Sequence, residues 1–255
     1  MGYDLFLEKG GIMRIKTPTI LVIIVLILLV LPARSMQGQE TQTDKLASWT
    51  IQRIIKDAEE NKKLKGGLKY RESFIEEEYD TNGRSRSRKE GTKIIDGSKK
   101  FQIAGFEFNL YEILPEIYNF KLASTAESVG LAIIDENIYV AIDFIPKTNL
   151  KYRRLEDRFI YRFRGRIFVD ISGERYYIKK MEIRIPEEFS FTYWQWGFIP
   201  IPITIKSFEL IMIQDRLDPE DIIVEKSIKA KVVFSSLRSG SRNYDYTYDG
   251  FEHKK

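Results

Sequence analysis

The apolar positions of the chain follow two periods in succession. Between Asp44 and about Leu64, apolar residues recur every three or four positions, and Gly66-Gly67 follows them. This spacing predicts one amphipathic helix, with Asp44 as its N-cap and with an apolar face that needs cover. Beyond this helix a period of two predominates. The pattern therefore predicts a helix followed by an antiparallel sheet of about eight to eleven strands.

Two charged strands are predicted on either side of Asn82-Gly83, the strongest short-range signal for a β-hairpin. Glutamates in the first arm, YRESFIEEEYD, oppose arginines in the second arm, RSRSRKEG. Arg84, Arg86 and Arg88 could alternatively form a patch for nucleic acid or phosphate. The compensating glutamates favour an exposed ribbon, whose charges protect its edge from unwanted pairing.

Several later segments have the alternation of half-buried strands. Apolar and charged residues alternate strictly over residues 180–185, and the apolar residues of 228–234 share one side. Residues 157–170, DRFIYRFRGRIFVD, are interpreted as part of the same run of short strands, whereas residues 97–130 are less regular and partly helical. No repeat of 20–50 residues is present, so residues 44–255 are predicted to form a single domain.

The long uncharged stretch FSFTYWQWGFIPIPITI, residues 189–205, contains six aromatic residues and two prolines. As a strand it would be apolar on both sides, with Phe189, Phe191, Tyr193, Ile199, Ile201, Ile203 and Ile205 on one side and Trp194, Trp196, Phe198, Pro200 and Pro202 on the other. Its prolines favour an edge or an extended lip over a central strand. Three interpretations stay open. The stretch is a lid packed on the domain's own core, a gate at the mouth of a lipid cavity, or a wedge that touches a membrane surface.

The N-terminal 35 residues have the layout of a secretory signal. A short basic segment from Met13 precedes the twelve-residue apolar run ILVIIVLILLVL, and a small-x-small site follows at Ala33-Arg34-Ser35. A run of this length falls short of the roughly twenty residues that span a bilayer. We therefore expect a signal peptide over residues 1–35, a linker over residues 36–43, and a periplasmic location. The alternative is an uncleaved segment that anchors the protein in the inner membrane.

Composition restricts the chemistry that the chain can perform. There is no cysteine, and the single histidine is His253 near the C-terminus, which removes thiol nucleophiles, disulfides and histidine-based triads. The least solvated carboxylates are Asp143 and Asp170, for which a structural role is favoured. The net charge of +4, with both signs interspersed, argues against a nucleic-acid partner. We expect a protein that is not an enzyme and has no cofactor or metal, with a carboxylate-pair hydrolase as the enzymatic alternative.

Four motifs together resemble the bacterial outer-membrane lipoprotein-sorting (LolA/LolB-like) superfamily, in particular its uncharacterised exported members. They are KYRESFIEEEYDTNGRSRSRKE at 69–90, FIPK at 144–147, GRIFVD at 165–170 and SFELIMI at 207–213. The resemblance covers roughly residues 44–250. It implies an α+β, mainly β fold, in which a curved antiparallel half-barrel sheet wraps around helices. It also implies an apolar cavity that receives acyl chains.

The resemblance and the aromatic excess lead to the same expectation of function. We expect a non-catalytic periplasmic protein that binds a lipid or lipoprotein acyl chain and makes peripheral or transient membrane contact. The alternative is an envelope protein-interaction or sensor module, which would bind a protein partner through an edge strand or an aromatic surface. The residues expected at the apolar cavity or its mouth are Trp49, Ile142, Phe144, Tyr193, Trp194, Trp196 and Phe198.

Overall fold

The computed structural model describes residues 42–97, 101–103, 106–108, 110–124, 129–148, 150–151, 157–195, 199–237 and 239–254. They all belong to one compact unit, Gly38–Lys255, and the predicted signal peptide lies outside them. The helices are α1 (Gln42–Lys65), α2 (Leu110–Ile117) and α3 (Asp157–Ile160). The strands are β1 (Leu68–Tyr79), β2 (Ser85–Asp96), β3 (Phe101–Ile103), β4 (Phe106–Phe108), β5 (Tyr118–Leu122), β6 (Leu131–Ile134), β7 (Asn137–Pro146), β8 (Arg164–Asp170), β9 (Tyr177–Ile185), β10 (Phe189–Gln195), β11 (Ile199–Leu217), β12 (Ile222–Ser235) and β13 (Gly240–His253).

Eleven of the strands form one antiparallel sheet. Its order is β2-β1-β13-β12-β11-β9-β8-β7-β5, with β10 paired to β11 and β6 paired to β7, while β3 and β4 form a separate pair. The sheet is open and uncurled, and 62% of the described residues are in strands. The prediction of a mainly β, antiparallel fold with few helices is therefore confirmed. The half-barrel form and the LolA/LolB-like relationship stay predictions.

The first hairpin forms as predicted. β1 and β2 pair around the Asn82-Gly83 turn, where Gly83 has a φ of 77°, a value that glycine adopts readily. Arg88 donates to Glu77 across the hairpin at 2.9 Å. The expected pairing of glutamates with arginines is therefore confirmed, and β2 forms an exposed, charged edge of the sheet.

The two faces of the sheet differ because side chains alternate along each strand. A row of directly paired, buried apolar residues crosses five strands on one face. This apolar row consists of Ile142, Ile167, Met181, Met212 and Ile228. The next position along each strand gives the outer row on the opposite face, which consists of Asp143, Arg166, Glu182, Ile211, Lys229 and, one strand further, Asp245. The predicted burial of one face of residues 180–185 and of 228–234 is confirmed.

Helix α1 covers the apolar face through its own apolar side. It contacts β5, β9 and β12, and Ala47, Ile51 and Ile54 are at most 1% exposed. Its observed bounds exceed the predicted ones by two residues at the start and one at the end. By covering the apolar face of the sheet, the helix keeps these side chains out of water. Burial of apolar surface is the largest favourable contribution to folding, so this contact stabilises the domain.

Polar side chains of α1 fix its position along the sheet. Buried Asp57 accepts a hydrogen bond of 2.8 Å from the backbone N–H of Tyr176, in the loop between β8 and β9. One turn further, the Asn61 side chain bonds both the carbonyl oxygen and the N–H of Ile223 at the start of β12, at 2.8 and 2.7 Å. Asp57 and Asn61 each bond to the backbone of one particular residue, Tyr176 and Ile223. These hydrogen bonds together determine the register of the helix against the sheet.

The end of α1 is attached through a buried polar chain. Lys65 forms an ion pair with Glu225 on β12, and Glu225 also accepts from the side-chain amide of Gln214 at 3.5 Å. Gln214 in turn accepts from the Tyr111 hydroxyl of α2 at 3.0 Å. Burial raises the pKa of Tyr111 to about 12 and lowers that of Lys65 from 10.5 to about 8. This series of polar contacts thus links helices α1 and α2 to the central strands β11 and β12.

Replacing Lys65 by methionine tests how this buried cation affects stability. Its pKa is lower in the folded chain than in the unfolded chain, so between about pH 8 and 10.5 the unfolded state holds more protons. The contribution of Lys65 to the free energy of unfolding therefore increases as the pH rises through this interval. We expect the free energy of unfolding of the wild type, relative to that of Lys65→Met, to rise by on the order of 1 kcal/mol or more from about pH 7.5 to about pH 10.

Urea unfolding of both proteins at these two pH values gives the measurement. Tyrosine ionisation affects both proteins alike and cancels in the difference. A difference that stays constant or decreases with pH would contradict the expected contribution of Lys65.

Candidate functional site

The β10–β11 hairpin contains the uncharged aromatic stretch of the sequence. Phe189, Phe191 and Tyr193 of β10 lie directly opposite Ile205, Ile203 and Ile201 of β11, and Gln195 lies opposite Ile199. Paired residues of an antiparallel ladder point to the same face, so the prediction that these apolar residues share one side is confirmed. We call this set the apolar strip; it consists of Phe189, Phe191, Tyr193, Ile199, Ile201, Ile203 and Ile205.

The apolar strip passes from the core to the solvent. At its base, Phe189, Phe191 and Ile205 are 6%, 7% and 5% exposed, whereas Tyr193 and Ile199 at its distal end are 44% and 37% exposed. β12 pairs with β11 only from Thr204 onward. Residues 199–203 therefore extend beyond the body of the sheet as a two-stranded ribbon.

Pro200 and Pro202 lie in this two-stranded extension, opposite Trp194 and Thr192. Proline has no backbone N–H, and prolines two residues apart direct their missing donors to the same side of the strand. The part of β11 that pairs on both sides contains no proline. The prediction that the prolines mark a lip and not a central strand is confirmed for residues 199–203.

An irregularity in the ladder separates the two parts of β11. Ile205 pairs with Phe234 of β12 and Ser207 pairs with Val233, so that Lys206 is an extra residue, as in a β-bulge. On either side of it, Ile205 and Phe208 are both buried. The bulge thus joins the apolar strip to the apolar face of the sheet without a break.

Helix α3 and the turn after it cover the base of the apolar strip. The ring of Phe159 meets those of Phe189 and Phe191 edge-on, with centroids 5.4 and 5.2 Å apart, and the ring of Phe163 stacks on Phe208 at 5.2 Å. These five residues form what we call the aromatic cluster. Edge-on and offset ring pairs are favourable beyond the area they bury, and the cluster therefore gives the hairpin a rigid base.

The interpretation of residues 157–163 as part of a strand is wrong. Backbone hydrogen bonds from Tyr161 to Asp157 and from Arg162 to Phe159 form helical turns, and β8 begins only at Arg164. The spacing of Phe159 and Phe163, four residues apart, was the available signal, since it places both side chains on one side of a helix. Sequence analysis missed both of these residues and Arg162.

Arg162 lies at the rim of the aromatic cluster. Its guanidinium carbon is 4.6 Å from the centroid of the Phe189 ring, a cation–π contact. Its Nε is buried and has no hydrogen-bond partner, and no carboxylate within the described ranges forms an ion pair with it. The site therefore combines an apolar surface with a cationic group whose Nε–H has no acceptor.

The structure brings only part of the predicted site together. Tyr193 belongs to the apolar strip, Trp194 is part of β10, and Trp196 and Phe198 lie outside the described residues. Ile142 and Phe144 are 0% and 1% exposed and lie on β7, which two strands separate from β11. Both are buried in the core of the domain.

Phe144 and Trp49 have local packing partners. The Phe144 ring lies 5.0 Å from that of Tyr118 and against Gly165, where an added Cβ would come within 2.7 Å of it. Trp49 is 47% exposed on α1, and its ring lies edge-on to Tyr176 at 6.1 Å. Neither residue is part of the surface that the apolar strip exposes.

The carboxylates singled out in the sequence have structural partners. Asp143 accepts from Arg166 at 2.7 and 3.2 Å on the outer face of the sheet. Asp170 accepts from the N–H and the hydroxyl of Ser172, at 2.8 and 2.6 Å, in the turn after β8. In the part of the chain that the structure describes, no three His, Asp or Glu side chains are grouped to hold a metal ion. None of the helices in the described ranges is long and apolar enough to cross a membrane.

An open depression of about 420 Å³ lies elsewhere, on β1, β2 and β13. Its lining combines the apolar residues Phe74 and Ile75 with the polar or charged residues Ser73, Glu90, Thr92, Asp245 and Thr247. An acyl chain would have to displace water from the polar groups without giving them new hydrogen bonds. The apolar strip is therefore the better candidate for an apolar ligand.

No family model matches the chain, and no curated protein or solved structure matches it either. The resemblance to the lipoprotein-sorting superfamily therefore rests on the sequence motifs, and the function must be argued from the site itself.

Two substitutions distinguish the base of the apolar strip from its distal end. Phe191→Ala removes a buried ring from the aromatic cluster and should lower the free energy of unfolding by about 3 kcal/mol. Tyr193→Ala, two residues further along the same strand, removes a half-exposed ring and should cost less than about 1 kcal/mol. Urea unfolding of both variants gives the comparison, and equal losses would show that the whole strip is packed as core.

Proposed function

We propose that the protein is a non-catalytic lipid-binding protein of the cell envelope, exported to the periplasm, and that an acyl chain lies along the apolar strip. The observation that supports this proposal best is the change in exposure along the strip, from buried Phe191 to half-exposed Tyr193 and Ile199. None of the residues that make up the strip is charged. A continuous apolar surface of this kind is typical of a site for an apolar partner.

The dimensions of the apolar strip suit an acyl chain. From Ile203 to Ile199, the part of β11 in the strip that is not buried, the strand extends over about 13 Å, at roughly 3.3 Å per residue, which suits an acyl group of medium length. Each methylene that leaves water contributes about 0.8 kcal/mol, so ten methylenes give about 8 kcal/mol before the cost of association. Such a contact supports binding that is reversible, as a carrier or a sensor requires.

We further propose that the chain belongs to the LolA/LolB-like superfamily, because its four motifs occur in the expected order. In that superfamily a half-barrel and its helices receive acyl chains between them. In this chain Ile142, Phe144 and Met181 are at most 1% exposed, so their side chains are already covered by the protein. We therefore place the acyl chain at the hairpin, where it would also have access to a membrane surface for transient contact.

One observation favours the second candidate function, an envelope protein-interaction module. β2 ends the sheet, extends over twelve residues and is exposed along most of its length. A partner could add a strand to this edge. Capture of one stoichiometric protein partner by crosslinking in cells, with no lipid on the protein, would favour this function over lipid binding.

Lipid binding is tested by extracting the full-length protein, purified from bacterial cells, with organic solvent and by titrating it with a fluorescent fatty acid. We expect mass spectrometry to detect lipid and the titration to give a micromolar dissociation constant. Ile199→Asp places a carboxylate on the exposed end of the apolar strip. It should weaken fatty-acid binding by at least about tenfold, because an acyl chain lying on this carboxylate would remove water from it without replacing the hydrogen bonds.

Ile211→Asp is the matched control. Ile211 is 41% exposed, close to the 37% of Ile199, but it lies in the outer row on the opposite face of the sheet. This variant should bind the fatty acid as the wild type does. Absence of lipid together with absence of micromolar binding would refute the proposed function, and equal weakening by both variants would place the acyl chain elsewhere.

A further inference from the structure

Arg162 has a position that the packing of the domain does not explain. It follows α3 and lies over the Phe189 ring, at the base of the apolar strip. Its neighbour one turn earlier, Arg158, is exposed to solvent. Arg162 contacts an aromatic ring and has no ion pair among the described residues, whereas other arginines, such as Arg88 and Arg166, pair with carboxylates.

The hydrogen bonds of Arg162 are incomplete. The ring of Phe189 partly compensates for the loss of hydration of the guanidinium, but the buried Nε–H still has no acceptor. Leaving a buried donor without a partner is unfavourable, so an acceptor from outside the protein, such as water or an anionic ligand, would stabilise this group. Guanidinium groups bind carboxylates and phosphates well, because their N–H groups match the spacing of two anionic oxygens.

We propose that Arg162 binds the headgroup of an anionic single-chain amphiphile, with a carboxylate or phosphate at Arg162 and the alkyl chain extending along the apolar strip toward Tyr193. This inference rests on the proposed function and specifies its ligand class. The headgroup accepts the Nε–H hydrogen bond, while the chain covers the half-exposed residues of the hairpin. A neutral or cationic amphiphile with the same chain gains only the second contact.

Calorimetric titration of the full-length protein with four ten-carbon probes tests the proposal. The probes are decanoate, decyl phosphate, 1-decanol and decyltrimethylammonium, each below its micellar concentration. We expect the two anions to bind about tenfold more tightly than 1-decanol, as one charge-assisted hydrogen bond predicts, and the cation to bind most weakly. The ratio between decanoate and decyl phosphate distinguishes a fatty-acid ligand from a phosphate-bearing one.

Arg162→Gln should abolish the advantage of the anions and leave 1-decanol binding unchanged. Arg158→Gln is the matched control, because it removes the same charge one turn away without affecting a ring contact, and it should retain the advantage. Arg162→Lys keeps the charge but not the Nε–H and should retain only part of it. If urea unfolding shows that Arg162→Gln is not folded, the comparison of Arg162→Lys with the wild type tests the headgroup assignment instead.

The outcomes separate this inference from the proposed function. If all four probes bind with similar affinity and Arg162→Gln or Arg162→Lys changes nothing, the headgroup assignment is wrong while lipid binding stands. If Arg158→Gln reduces anion binding as strongly as Arg162→Gln, the effect is general attraction by positive charge, and the assignment is also wrong. If no probe binds, the proposed function and this inference fail together.

Discussion

The structure depends on the alternation of side chains across the strands of one large sheet. The apolar row from Ile142 to Ile228 and the outer row beside it belong to the same five strands, one position apart. A shift of any strand by a single residue would exchange these rows, burying charges such as Asp143 and exposing apolar residues. The position of α1, the aromatic cluster and the lip all follow from the face to which each strand directs its apolar residues. Register is thus the main constraint on this fold.

The polar contacts of the domain help to fix the register of its strands and of helix α1. Asn61 and Lys65 hold the helix over one part of the apolar face, and the ion pairs of the outer face connect neighbouring strands. An exposed ion pair adds little stability, typically up to about 1 kcal/mol. Its effect here is to favour one pairing of strands over others, since like charges would meet in a shifted register. A chain without cysteine, and hence without disulfides, depends on such specificity together with its core.

The sequence predicts the features that rest on local patterns. The helix near 44–64, the hairpin at Asn82-Gly83 and the shared side of the strip residues were predictable, because each leaves a period or a turn signal in the chain. The position of Ile142 and Phe144 was not, since residues that line a cavity and residues that fill a core have the same apolar composition. The α3 turn was missed because its one signal, the four-residue spacing of Phe159 and Phe163, is a single pair and not a sustained helical period. Arg162 could not be singled out, because its role depends on Phe189, which is distant in sequence.

The extra residue Lys206 has a consequence for the whole hairpin. Upstream of it the residues of the apolar strip occupy odd-numbered positions of β11, from Ile199 to Ile205, and downstream the buried apolar residues occupy even-numbered ones, from Phe208 to Met212. The bulge absorbs this change of phase, so that both halves face the same side. Loss of one residue there would leave the composition of the strand almost unaltered, yet it would turn the entire apolar strip to the charged side of the sheet. The length of this segment, counted to a single residue, therefore decides whether the lip and the core form one surface.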